Sequence, residues 1–285
     1  MIQGILTAKP VLVVGMHRSG TRLIDRILDR LGVFMGADRQ ADGESVTFMQ
    51  INETVFHQCG TFWSEPMPVH FVLSQPELLE RMAEVVVQSL ATQLRNYAGR
   101  ADLDLARIGE LAPFGWKDPR NTFTLPVWQK IFPEARIIHV VRHGVDVAAS
   151  LARRHGNALR NATGAAVPPA LTVIQDHGLG VLSSRRGWTI SEALTMWEQY
   201  VEKARLEAAQ MGPRALEIRF EDLLERPQEF VPRIAQFCGV ALPDDLDSVT
   251  GAIDAGRAYA FRQDAQLKQF AESAAAIIGR LGYEP

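Results

Sequence analysis

The sequence predicts an α/β protein built as three α/β/α layers around a central parallel sheet. Three observations carry that expectation. The apolar run Val11–Val14 closes at Gly15, turns through "MHRSG" and continues into an amphipathic stretch. The segment "ARIIHVVRHG", Ala135–Gly144, repeats the order of apolar strand, basic residue and glycine. Strand and helix patterns alternate along most of the chain, which calls for parallel strands covered on both faces.

Taken in order, Val11–Val14 is short, rich in valine and closed by glycine, as a buried parallel strand should be. After Gly20, Leu23, Ile24, Ile27, Leu28 and Leu31 recur at helical spacing until Gly32. A long helix is predicted from Pro76 to Tyr97, with Leu78, Leu79, Met82, Val85, Val86, Leu90 and Leu94 on its apolar face. The second strand–glycine unit leads into the helical "VDVAASLARR". Later, "ISEALTMWEQYVEKARLEAAQ" reads as helix, "RALEIRF" as strand, and "RPQEFVPRIAQFCG" as a helix opened by proline. A last helix runs through "DAQLKQFAESAAAIIGRLG". No repeat and no linker divides residues 1–285, which read as one domain. One irregular segment, at 156–187, is of the kind that forms a lid or a disordered stretch.

Composition narrows the function. The chain is 47% hydrophobic and 22% charged, with a formal net charge of −3, so no global positive field recruits nucleic acid or an anionic membrane. Cys59 and Cys238 form no CxxC pair, and a reducing compartment suits them. The start "MIQGILTAKPVLVVG" lacks a signal-peptide pattern, and no run approaches the roughly 18 apolar residues of a membrane span. A soluble cytoplasmic protein is the expectation, and the sequon at Asn161 is read as chance.

Gly15 and Gly20 have the spacing of a Walker loop between strand and helix, which makes the expected fold P-loop-like. The residues that follow differ. Thr21 stands where such a loop has lysine, and Arg22 where it has the Mg²⁺-binding hydroxyl. The loop keeps its backbone N–H groups and helix dipole for an anion but lacks the parts that serve a metal-bridged triphosphate. Arg18 and Ser19 add a cation and a hydroxyl within the turn. A second anion site is predicted where Arg142 ends a strand and Ser150 and Arg154, at i and i+4, share a helix face. Both elements would open on the crevice at the carboxyl ends of the strands.

"GMHRSGT" and "VVRHGVDVAAS" together resemble the two nucleotide-binding motifs of sulfotransferases that use 3′-phosphoadenosine 5′-phosphosulfate (PAPS). "RFEDLLERPQEFVPRIAQFCGV" resembles a further segment of that family, with Phe220 in place of its tyrosine. The resemblance implies that Arg18, Ser19, Gly20, Thr21 and Arg22 hold the 5′-phosphosulfate while Arg142 and Ser150 hold the 3′-phosphate. Arg154 matches a basic position of the tyrosylprotein-sulfotransferase branch. In that branch a lysine in Lys-Asp-Pro faces the donor's sulfate, which makes Lys117 of "WKDPR" the catalytic cation beside Arg18. The post-loop segment "ADGESVTFMQINETVF" puts Glu44 at the position of a carboxylate base, with Asn52 as its anchor, although Gly43 and Ser45 depart from the family's neighbours.

Other residues weigh less. Trp197 and Tyr200, one turn apart, are read as core rather than as walls for adenine, and His139 as a strand core residue. His17 lies in the loop, His57 and His70 flank an aromatic segment suited to an acceptor pocket, and Arg257 and Arg262 are placed to close over the donor. The leading expectation is sulfuryl transfer from PAPS, without metal, to a small-molecule, carbohydrate or peptide acceptor. A P-loop kinase for small molecules and a non-catalytic module that binds PAPS or its product are the alternatives. Neither acceptor nor oligomeric state is legible.

Overall fold

The computed structural model describes residues 7–164, 186–250 and 253–285. Four strands, β1 (Val11–Val14), β2 (Gly115–Lys117), β3 (Arg136–Val141) and β4 (Ala215–Arg219), form one parallel sheet in the order β2-β1-β3-β4. Val11 pairs with Gly115 on one side and with Arg136 on the other, and Val141 pairs with Arg219. The chain leaves β1 toward β2 and returns past it to β3, so the connections diverge between β1 and β3. That is the topological switch point, where crevices open in sheets of this kind.

Alternate residues of β1 feed two cores. Val11 and Val13 face Ile24, Ile27 and Leu28 of α1 (Thr21–Arg30) and Phe230, Val231 and Ile234 of α9 (Pro227–Cys238). Leu12 and Val14 face the larger core. It holds Phe48 of α2 (Val46–Gln58), Leu90 of α4 (Pro76–Ala98), Trp128 of α5 (Asn121–Ile131), Leu151 of α6 (Gly144–Gly164) and Trp197 of α7 (Ile190–Met211). Three layers result, as the alternation of strand and helix predicts. The short helices α3 (Met67–Leu73), α8 (Phe220–Glu225) and α10 (Asp247–Thr250) fill corners of this frame.

Some boundaries differ from the sequence expectation. In α4, Leu78 and Val85 are exposed, while Met82, Val86, Leu90, Leu94 and Tyr97 are buried. The two exposed residues lie at the edge of the apolar stripe, about 100° round from its centre at 100° per residue. Helix α6 runs to Gly164, well into the stretch read as irregular from 156, and residues 165–185 lie outside the described residues. The last helix divides at Ala274 into α11 (Ala265–Ser273) and α12 (Ala275–Arg280). Cys59 and Cys238 are free thiols. Among the described residues no helix is long and apolar enough to cross a membrane.

Candidate active site

The glycine loop is fixed by sterics at both ends. A Cβ on Gly15 would stand 2.5 Å from the Val140 carbonyl oxygen, so the loop leaves β1 tight against β3. Gly20 has φ 102°, and a Cβ there would stand 2.2 Å from the Phe220 ring. It caps α1 with no side-chain hydrogen bond, so no side chain competes with an anion for the N–H groups of the first turn, although that of Leu23 donates to the Gly20 carbonyl at 2.8 Å. Between them Arg18 adopts φ 73°, a left-handed conformation that costs a residue with a Cβ of the order of 1–2 kcal/mol. The Ser19 hydroxyl donates to the Met16 carbonyl at 2.7 Å and so braces the turn from within.

The unit after β3 meets this loop. Arg18 Nε donates to Ser150 Oγ at 2.9 Å, which joins the loop to α6. Arg142 is buried, with one terminal nitrogen 3.2 Å from Asp146 and its guanidinium 4.9 Å above the Phe220 ring. Its Nε is buried without a hydrogen-bond partner. Its carbonyl accepts from Trp197 Nε1 at 3.0 Å, so Trp197 is a core residue that holds the end of β3. Tyr200 and His139 are likewise fully buried, and His139 Nδ1 lies 3.0 Å from Glu217.

At the end of β2, Lys117 Nζ donates to Glu44 Oε1 at 2.9 Å, and both side chains are buried. The loop before α2 carries Glu44, and Ser45 caps that helix by accepting from the Phe48 N–H. Arg120 reaches Asp118 Oδ1 at 2.9 Å, Glu53 Oε1 at 2.9 Å and Glu44 Oε2 at 3.6 Å. Asn52 anchors the group. Its amide donates to Asp118 and Asn121, and its oxygen accepts from Thr124 and Trp128. Burial, then Asp118, raises the Glu44 carboxyl above its ordinary value, against the opposing pull of Lys117 and Arg120.

Two cavities adjoin. The first, of about 320 Å³, is lined by Arg18, Arg22, Arg26, Lys117, Arg154 and Arg257 against the carboxylates Asp42, Glu44 and Asp254. The second, of about 290 Å³, is lined by Arg142, Asp146, Ser150 and Arg153, and shares Arg18 and Arg257 with the first. Excess positive charge in a concave site selects for an anion. The crowding shows in Arg18, whose guanidinium is lowered by burial and then by Arg154, Arg257, Arg142 and Arg153. His17 also lines the first cavity, its ring 4.4 Å from that of Trp63 and its Nε2 buried without a partner. Burial, with Arg120, Arg154, Lys117 and Arg18 nearby, holds its pKa well below the ordinary value.

Most of the donor-site residues named from the sequence thus line one crevice, with a division the spacing did not foresee, while Ser19 is buried and lines neither cavity. Ser150 and Arg154 share a helix face yet line different cavities, and Arg153 accompanies Ser150. Arg257 reaches both cavities, whereas Arg262 lies over the Tyr259 ring. His57 is exposed beside Phe62, and His70 lines a separate groove with Lys203. Sequence reasoning passed over Arg120 and Arg153. Arg120 follows Lys-Asp-Pro directly, and that adjacency was the available signal.

The comparisons with known proteins decide the family. The sulfotransferase family model matches residues 10–244, most of the chain. The chain belongs to the sulfotransferase family. A Caenorhabditis briggsae protein named as a protein-tyrosine sulfotransferase is 23% identical over 233 residues, covering 80% of this chain and 64% of its own length. The chain therefore spans under two thirds of that curated relative. Among solved structures, the sulfotransferase domain of the Synechococcus PCC 7002 olefin synthase is 18% identical, with TM-score 0.48, over 98% of this chain and 96% of that one. A sulfotransferase from Alicyclobacillus acidocaldarius is 16% identical, with TM-score 0.48, over 98% of both chains. Its P-loop-like sheet presents the glycine loop at the switch point.

Proposed function

We propose that this sulfotransferase moves a sulfuryl group from PAPS to a hydroxyl or amine of an acceptor. The observation that carries the reading is the pair of cationic cavities that share Arg18 and Arg257. PAPS carries a 5′-phosphosulfate and a separate 3′-phosphate, and two adjoining anion sites suit it. The Arg142 Nε, buried without a partner, is a donor that a phosphate oxygen would satisfy. In this reading Ser19, Gly20, Thr21 and Arg22 cradle the 5′ end, Arg142 and Ser150 hold the 3′-phosphate, and Arg154 flanks the transferring group. Residues 1–285 act as one catalytic domain.

The chemistry follows from the charges. As the S–O bond to the donor breaks, negative charge gathers on the leaving phosphate, where Lys117 and Arg18 stabilise it. Glu44 takes the acceptor's proton as sulfur bonds to the acceptor oxygen or nitrogen, a contribution of about 10²–10⁴ in rate. Its pairing with Lys117 at 2.9 Å requires the lysine to turn toward the donor first. The likeness to a protein named for tyrosine sulfation makes a tyrosine peptide the first acceptor to try.

Calorimetric titration tests the donor. Adenosine 3′,5′-bisphosphate should bind without metal, and Arg142→Ala should weaken that binding by roughly 10- to 150-fold. Binding of ATP that strengthens with Mg²⁺, with none of the bisphosphate, would replace this reading with a kinase. Glu44→Gln and Lys117→Met should keep donor binding while losing transfer from labelled PAPS, the outcome that separates an enzyme from a binding module.

A further inference from the structure

Arg120 stands at the start of α5 with its guanidinium buried among three carboxylates that come from different parts of the chain. Asp118 belongs to the same turn, Glu53 to α2, and Glu44 to the loop before α2. The two oxygens of Glu44 are divided between two cations. Oε1 accepts from Lys117, and Oε2 faces Arg120 at 3.6 Å. The two cations differ in what else holds them. Lys117 has Glu44 as its ion-pair partner and lines the first cavity, whereas Arg120 is tied at 2.9 Å to both Asp118 and Glu53. A planar guanidinium serving two carboxylates at once is fixed in place, while a single-point ammonium on a flexible stem can turn.

We propose that Arg120 is a positioning residue, which keeps Glu44 ionised and oriented toward the loop cavity when Lys117 gives up that carboxylate for the donor. The proposal rests on the reading of Glu44 as base. Without a second cation, the departure of Lys117 would leave a buried carboxylate beside Asp118 and Asp42, and it would take up a proton and cease to be a base. The charged groups that face Glu44 are Lys117 and Asp118 from the end of β2, Arg120 from α5 and Asp42 from its own loop. His17 of the glycine loop lines the same cavity. Burial and the two aspartates raise the carboxyl, and Arg120 is one of the two groups that lower it.

The test reads the ionisation of Glu44 directly. The full chain is labelled with ¹³C at the glutamate carboxyl carbon, and the Glu44 resonance is identified by its loss in Glu44→Gln. Titration is followed without ligand in the wild type, Lys117→Met, Arg120→Met and Arg120→Lys. In Lys117→Met, Glu44 should still be ionised at neutral pH; a midpoint above neutrality there overturns the proposal. In Arg120→Met the midpoint should rise so that proton affinity increases about tenfold or more, and Arg120→Lys should restore part of that change. An unchanged midpoint in Arg120→Met, in a protein that keeps its near-ultraviolet dichroism, also overturns it, because a merely structural tie would move thermal stability and leave this titration alone. Should Arg120→Met fail to fold, the Lys117→Met titration decides by itself. Failure of the wild type to bind adenosine 3′,5′-bisphosphate would sink the donor reading instead, and these ligand-free titrations would keep their meaning.

Discussion

Lys117 Nζ lies 2.9 Å from Glu44 Oε1 with both side chains shut away from solvent, so the cation and the carboxylate of the site neutralise each other. Removing one member of a buried pair strands the other and costs about 3–5 kcal/mol. Lys117→Met should therefore lower the free energy of unfolding by about 3 kcal/mol, and Lys117→Met with Glu44→Gln should recover much of that loss. Urea unfolding of the two single variants and the double variant checks it. Strictly additive losses would mean that the two groups do not interact.

Gly20 offers a steric test of the loop. Alanine there must accept φ 102° and also displace the Phe220 ring. Gly32, with φ 82° and nothing near its missing Cβ, provides the control. Gly32→Ala should cost only the backbone strain, about 1 kcal/mol, and leave bisphosphate affinity unchanged. Gly20→Ala should cost more and weaken the bisphosphate by about tenfold or beyond, since the loop must shift. Calorimetry with paired thermal melts distinguishes the two.

The division between the cavities predicts which end of the proposed donor each arginine would read. A charged hydrogen bond is worth about 1.5–3 kcal/mol, or roughly 10- to 150-fold in affinity. Arg142→Ala and Arg153→Ala should weaken adenosine 3′,5′-bisphosphate by that factor and leave adenosine 5′-phosphosulfate, which has no 3′-phosphate, little changed. Arg154→Ala should weaken both. Equal losses for both ligands in every variant would overturn the assignment.

Asp25 on α1 predicts a pH dependence of stability. Burial raises its carboxyl from 3.8 to about 6, against the pull of Arg39, whose nitrogen is 2.5 Å away. The native state thus holds this proton more firmly than the unfolded chain does. The stability it contributes is full below 3.8 and lost as pH rises through about 6. Over that window wild type should lose about 3 kcal/mol relative to Asp25→Asn. Unfolding curves at the two ends of the window measure the difference, and a parallel response of the two proteins would contradict it.

Three of the four strands and the loop were legible because they are local: four apolar residues and a glycine write a buried strand, two glycines at fixed spacing write the turn, and only the three-residue β2 is too short to announce itself. The Arg142–Ser150 unit was legible for the same reason. Helix α2 was harder to read, because its apolar residues are interleaved with Gln50, Asn52 and Glu53, polar residues that the site rather than the solvent requires. The partition of Ser150 and Arg154 depends on how α6 is rotated against the loop, which no spacing within α6 encodes. The role of Arg120 depends on three carboxylates, two of them more than sixty residues away in sequence. Resemblance alone brought Glu44 to notice, and only the fold puts Lys117 against it.

The hydrogen bond from Arg18 to Ser150 makes one side chain common property of the two cavities. Linkage then requires reciprocity: whatever change in affinity an anion in one cavity causes through Arg18 for an anion in the other, the second causes for the first, with the same sign and size. Two small anions offered separately would not bind as independent guests. The proposed donor, carrying both on one ribose, would meet a site whose halves already report to each other.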